Sequence, residues 1–294
     1  MPYIGEILSL ATAFTWAIAV IFFKKSGESV HPIALSLFKD VMTVILLIPT
    51  MYLIGETLSY PCTSWDYILL FVSGAIGIGV ADTLFFMSLN RLGASLIAIV
   101  DCLYSPFVIA LSFIFLGESL SLLQILGVVM IISAVLAATQ PRARAGISKR
   151  NLILGIIFGI LMMAANATGI VMIKPLLEKS PLLWVTEMRL IGGVIILGLV
   201  LLFHPYRRRI VMSINSLGSW HFTFLGSFFG TYLSMVFWLG GMKYTQASIS
   251  ASLNQTSNVI IFILAAIFLK ESINLHKSIG IILAVAGVFI VTFG

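Results

Sequence analysis

Apolar runs of about 20 residues follow one another along the whole chain, separated by only a few polar residues. Leu152 to Ile173, for instance, contains no ionisable side chain. A run of that length spans the hydrocarbon of a bilayer as a helix. Transmembrane β-strands would instead show short segments of alternating polarity. Inside lipid only helices and closed barrels satisfy the backbone, so excluding the barrel leaves an all-α integral membrane protein. The composition agrees: 60% of residues are hydrophobic, 10% are charged and the mean hydropathy is +1.12, whereas soluble domains have about a quarter of their residues charged.

Ten spans are expected, at Ile4 to Phe23, Ile33 to Ile54, Tyr67 to Leu89, Ala94 to Phe115, Leu120 to Thr139, Leu152 to Ile173, Leu182 to Phe203, Leu217 to Met242, Ala247 to Leu269 and Leu275 to Phe293. Short loops leave no room for an extramembrane domain, so function belongs inside the bundle or at its mouths. The first run is long enough to span and lacks the basic start of a signal peptide, so it is expected to be retained.

The chain is built twice. The stretch from Ala94 to Gly127 recurs at Ala247 to Gly280, with eleven identities in thirty-four positions and no gap, including Glu118 with Glu271 and Ser119 with Ser272. The basic linker lies between the fifth and sixth spans, so residues 1–140 form a first half, 141–150 the linker and 151–294 a second half. Five spans per half is an odd number, and the two five-helix repeats must therefore be inverted. That architecture is widespread among secondary transporters, with the site near the midplane.

The net charge of +6 does not point to nucleic acid, because the basic residues cluster at span ends, where they orient membrane proteins. Of the seventeen Lys and Arg, twelve flank the odd-numbered loops, three (Lys174, Lys179, Lys243) the even ones, and Lys39 and Arg189 lie within spans. The odd loops are therefore expected in the cytoplasm and both termini outside. Cys62 and Cys102 sit in different settings, and the four histidines stand near span ends without metal-ligand spacing, so neither a disulfide nor a metal site is expected.

An ionisable group inside a span costs roughly 3 kcal/mol at the helix centre and needs a reason. The candidates are Lys39, Asp40, Asp82 and Asp101, of which Lys39, Asp82 and Asp101 share a layer roughly 10 Å from the odd-loop face at about 1.5 Å of rise per residue. On one reading Lys39 forms a structural ion pair, with Asp40 or with one of the other aspartates. On the other, Asp82 or Asp101 is left to take a proton or an amine. Glu187 and Arg189, near a span end, are read as structural ion-pair candidates that snorkel or pair locally. The repeat replaces Asp101 by Asn254, and Ser250, Asn254, Ser257 and Asn258 recur at three- and four-residue spacing as an uncharged stripe. That stripe faces either another helix or a wet cavity. Tyr104 stands one turn from Asp101, and Asn166 in the sixth span has the same two readings as the stripe. Gly280 and Gly287, matched by Gly127 and Ala134, allow close packing or a homodimer face.

The residues then resemble a family. LNRLGASLIAIVDCLYSPFVIALSFIFLGESLSLLQILG at 89–127 and GMKYTQASISASLNQTSNVIIFILAAIFLKESINLHKSIG at 241–280 look like the EamA-type transporters of the drug/metabolite transporter superfamily. His31-Pro32 before Lys39 and Pro181 before Arg189 are similar to its second- and seventh-span pattern. The resemblance implies a central cavity lined by spans 1, 3, 4, 6, 8 and 9, which would admit Asp82, Asp101, Tyr104, Asn166, Asn254 and Asn258. This chain departs from the pattern at Val259, where the second copy lacks the mid-span proline, and in its charge count, which opposes the cytoplasmic termini drawn for many relatives.

These features point to a secondary transporter in the plasma or inner membrane. The expected partners are the lipid bilayer and a small polar or amphiphilic metabolite such as an amino acid, exported by alternating access with proton coupling at Asp82 or Asp101. The alternative is a facilitative carrier. No cofactor is implied. A membrane enzyme would need a nucleophile with its base or a metal cluster, and the sequence offers neither; an ATP-driven pump would need a Walker A pattern. The chain is expected to act as a monomer or a homodimer.

Overall fold

The computed structural model describes residues 3–116, 121–138, 147–215, 219–244 and 247–293. The expected span ends at Leu120, Thr139 and Leu217, the linker residues Arg142 and Arg144, and Glu118 with Ser119 lie outside the described residues. What is described is helical, without a strand. Seven helical stretches are long and apolar enough to cross a membrane, and three shorter apolar helices, Leu122–Ala137, Leu253–Phe268 and Leu275–Val291, fall on the fifth, ninth and tenth expected positions. Large apolar side chains such as Phe14, Ile45, Leu136 and Phe203 stand exposed on the outside. A surface of that kind is suited to lipid rather than water.

Helix α1 runs over Ile4–Ser26 and α2 over Pro32–Leu53. His31 caps α2, its Nδ1 accepting from the Ile33 amide at 3.3 Å, and Pro32 at the first position loses no hydrogen bond there. The His31 imidazole is held below its ordinary pKa, first by burial and then by His204, whose ring lies 6.4 Å away. Its cap therefore holds at neutral pH and weakens as pH falls through the depressed value.

The third span is not a plain α-helix. It comprises α3 (Ser64–Gly74), opened by a capping box between Thr63 and Asp66, a π turn at Ala75–Val80 and α4 (Ala81–Leu92). Its repeat partner does the same, with α11 (Trp220–Ser227), a π turn at Phe228–Leu233 and α12 (Ser234–Tyr244). The two π turns are 153 residues apart, the spacing of the repeat. Single π turns inside α-helices are frequent at functional sites.

The fourth span is broken. Helix α5 (Ala94–Asp101) ends and α6 (Tyr104–Leu116) begins around a turn at Cys102 and Leu103, closed by tight bonds from the Cys102 amide to the Ile99 carbonyl and from the Leu103 amide to the Val100 carbonyl. Pro106 explains the break: it has no N–H to give the Cys102 carbonyl, and its ring crowds that carbonyl. The corresponding α13 (Ala247–Phe268) is continuous, because Val259 stands where the proline would be.

The remaining elements are α7 (Leu122–Ala138), α8 (Lys149–Lys179), α9 (Leu182–Phe203), a short α10 (Arg207–Met212) and α14 (Leu275–Phe293). The first helix of each half packs into the other half: α1 against α11, α12 and α13, and α8 against α3, α4 and α6. Helices α7 and α14 pack on each other. Their approach needs Gly127 and Gly287, since a Cβ on Gly127 would meet the Gly287 carbonyl at 2.6 Å. Gly127 and Gly287, two of the small residues that suit a dimer face, are thus used within the chain. At the odd-loop end the halves are tied together by Ser26 with Thr223 at 2.6 Å and by the Glu271 carboxylate, which accepts from the amides of Ala94 and Ser95 at 2.7 and 3.0 Å and from the Ser95 hydroxyl. An anion at the N-terminus of α5 is favoured both by its free amides and by the helix dipole.

Candidate functional site

Between the two π turns lies a cavity of about 220 Å³. Its wall uses both halves, and its members correspond through the repeat. Gly77 matches Gly230, Asp82 matches Met235, Phe85 matches Trp238, Asp101 matches Asn254 and Tyr104 matches Ser257, all 153 apart. Trp16 matches Asn166 and Lys39 matches Arg189, both 150 apart. The geometry is therefore nearly two-fold while the chemistry is not. Both aspartates of the wall come from the first half, and the second half offers amide, hydroxyl and thioether groups together with one cation.

Each polar group reaches the wall for a local reason. The π turn of the third span displaces the chain by one residue per turn, and beyond it Asp82 sits on the cavity side of α4. The break before Pro106 leaves Asp101 at the end of α5 and Tyr104 at the start of α6, both on the wall. Close approach of α8 to the first π turn depends on Gly77 and Gly169; a Cβ on Gly169 would lie 2.7 Å from the Gly77 Cα. Trp16 and Phe85 meet at the apolar side, their ring centroids 5.5 Å apart.

The electrostatics divide into a saturated centre and two single charges. Lys39 donates to Asp40 at 2.6 Å and also to Asp82, so one ammonium bridges two carboxylates, one from α2 and one from α4. Lys39 and Asp40 are buried, at 4% and 0% exposure, and an ion pair removed from water stays favourable only with such close partners. Asp101 has no ion-pair partner among the described residues. Arg189 has none either, although it is only 4% exposed and lines the same cavity. Its Nε–H donates to the Ser73 hydroxyl at 3.1 Å, and Ser73 in turn donates to the Gly169 carbonyl at 2.6 Å. Among the described residues no metal-binding cluster of His, Cys, Asp and Glu is formed.

Most of the residues singled out in the sequence meet here. Asp82, Asp101, Tyr104, Asn166 and Asn254 all line the cavity. Three do not behave as expected. Ser250 is fully buried and bonded to Ser9 of α1 at 2.9 Å, so it packs helix on helix. Asn258 is fully buried too, its amide donating to Gln255 at 2.6 Å and to the Cys102 sulfur at 3.3 Å, which joins α13 to the break in the fourth span. The stripe on α13 is thus divided: Asn254, Gln255 and Ser257 face the cavity, and its two ends face neighbouring helices. The third correction concerns Arg189, which is not ion-paired with Glu187; that carboxylate is buried with neither oxygen hydrogen-bonded. Two residues along an α-helix lie about 200° apart, so the pair could not close. That signal was available in the spacing. The expectation of six contributing spans is widened as well, since the second and seventh supply Lys39 and Arg189.

Comparison with known proteins agrees with this architecture. A solved crystal structure superposes with a TM-score of 0.69 over 97% of this chain and 95% of its own, at 15% identity, which speaks to the fold. Protein PecM of Dickeya dadantii is 24% identical over 270 residues, covering 88% of this chain and 82% of its own length. An uncharacterized transporter of Archaeoglobus fulgidus is 22% identical over 293 residues, covering 97% and 96%. The profile of the EamA-like transporter family matches twice, at residues 3–140 and 153–293, one match in each copy of the repeat. Two matches that together take in nearly every residue, around a cavity built jointly by both copies, place this multi-pass membrane protein in the EamA-like transporter family.

Proposed function

We propose that the chain is a secondary transporter in the cell membrane that exports a small polar or amphiphilic metabolite, such as an amino acid, by alternating access. In this reading all ten apolar helices cross the bilayer, as two inverted five-helix halves at residues 1–140 and 151–294 joined by the basic linker at 141–150. The observation that carries it is the cavity: a chamber with ionisable walls, shared by both halves, inside a protein whose outer surface is apolar. Its volume of about 220 Å³ is below the ~300–1,000 Å³ of drug-sized sites, which favours a small metabolite. Asp101, free of an ion partner among the described residues, supplies a group that can exchange a proton as the cavity changes sides, and Asp82 can do so whenever Lys39 releases it.

The test is uptake and counterflow of a metabolite panel in proteoliposomes, with and without an imposed pH gradient. The reading expects saturable exchange that is accelerated by unlabelled solute on the opposite side, and accumulation driven by the gradient. Exchange without any effect of the gradient would make the protein a facilitative carrier. No exchange of any member of a broad panel, by protein shown to be folded, would sink the transport reading.

A further inference from the structure

The Arg189 side chain presents to the cavity a cation that forms no ion pair among the described residues, although the Asp82 carboxylate on the same wall lies within its charge reach. Lys39, the other basic residue of the wall, is neutralised by Asp40 and Asp82. Arg189 has no carboxylate within ion-pair distance among the described residues, and its position is nonetheless fixed. The Nε–H is held by Ser73, which is itself held by the Gly169 carbonyl. A guanidinium has five N–H donors in a rigid fork, and among the described residues Nε–H is the one that finds a protein acceptor. A charged group that is 4% exposed, oriented from behind and without a directly bonded carboxylate among the described residues, is a costly arrangement unless something with the opposite charge completes it.

We propose that Arg189 is the anchor for an anionic group of the solute, so that the cavity selects small organic molecules that carry a carboxylate on an apolar body. This rests on the transport reading above and narrows it. The planar fork matches a carboxylate with two parallel hydrogen bonds, as a lysine in its place could not. The same wall also carries apolar and aromatic side chains, among them Trp16, Phe85, Met162, Met235 and Trp238, which suits a hydrocarbon or ring attached to the anion. Asp101 stands on the same wall, and Tyr104 lies within charge reach of both Asp101 and Arg189. A zwitterion therefore finds a partner for each of its charges. A lone amine finds Asp101 but meets the uncompensated guanidinium, and the site discriminates against it.

Four probes with one ring and different charges separate these cases: phenylalanine, phenylpropionate, phenylalaninamide and phenethylamine. Binding to the purified, full-length protein is read from tryptophan fluorescence, since Trp16 and Trp238 are in the wall. Phenylalanine and phenylpropionate are expected to bind about 10- to 100-fold more tightly than the amide and the amine, the range set by hydrogen bonds to a charged group. Arg189→Gln should bring the two carboxylates down to the level of the amide and leave phenethylamine unweakened, while Arg189→Lys should keep part of the preference. If Arg189→Gln does not fold, Ser73→Ala, which frees the guanidinium, should reduce the preference for carboxylates in the same direction. The proposal is overturned if phenethylamine or the amide binds the wild-type protein as tightly as phenylalanine, if a folded Arg189→Gln protein keeps the full preference, or if none of the four probes binds. In each of those cases counterflow of other solutes would leave the transport reading standing; failure of the whole metabolite panel would remove that reading itself.

Discussion

At the scale of single residues, Asp82 and Asp101 occupy one cavity in opposite circumstances. Asp82 shares the Lys39 ammonium with Asp40, and Asp101 has no ion partner among the described residues. Asp101→Asn should therefore abolish accumulation driven by a pH gradient while leaving counterflow partly intact. Asp82→Asn removes a charge-assisted bond worth about 1.5–3 kcal/mol, and should lower the thermal midpoint in detergent by several degrees as well as impairing the gradient-driven step. Full gradient-driven transport in both variants would take the coupling role from both carboxylates and leave Asp82 as a structural partner of Lys39. The sequence brought Lys39, Asp82 and Asp101 to one layer, because depth along a helix follows from counting residues. It could not apportion the ion pairs, since that depends on which helix faces which across the bundle. Local pairing of Arg189 with Glu187 is ruled out for a different reason: two residues apart along a helix, at about 100° of rotation per residue, their side chains leave on opposite faces.

At the scale of elements, α13 and the broken α5–α6 pair show how one substitution in a repeat changes what a helix can do. Pro106 interrupts the fourth span beside Asp101, whereas Val259 lets α13 run on. The uncharged residues of α13 then sort by neighbour, with Ser250 against α1, Asn258 against Cys102, and Asn254 with Ser257 on the cavity. In a background lacking Cys62 and Cys102, cysteines at positions 254 and 257 should react with a hydrophilic thiol reagent and be protected by transported solute. Cysteines at 250 and 258 should stay inert. Reaction at all four positions would mean that the whole stripe is wet, and inertness at 254 and 257 would exclude a water-filled path along this helix. The apolar runs announced most of these helices, but the π turns left no trace in hydropathy. A π turn changes hydrogen-bond partners without changing which residues are apolar, and only the closeness of Gly77 to Gly169 and the matching Gly230 mark the place.

At the scale of the whole molecule, duplication was legible because the identities hold one constant spacing, and the family match falls on the same two copies. The interlocking of the halves was not legible, since nothing in one sequence says that α1 packs among α11, α12 and α13. Orientation is the remaining global property, and it rests on twelve basic residues flanking the odd loops against three on the even side. Reporter fusions should place the linker around Arg150 in the cytoplasm; labelling of that linker from outside intact cells would reverse the assignment. The paired π turns carry a mechanical meaning of their own. Each stores one surplus residue, and absorbing that residue into regular α geometry would turn everything beyond it by roughly 100°. In the first half this would swing Asp82 off the wall and away from Lys39; in the second it would carry Trp238 out of the chamber. The two halves thus carry matching irregular turns at matching places, each with cavity-lining residues on it and just beyond it.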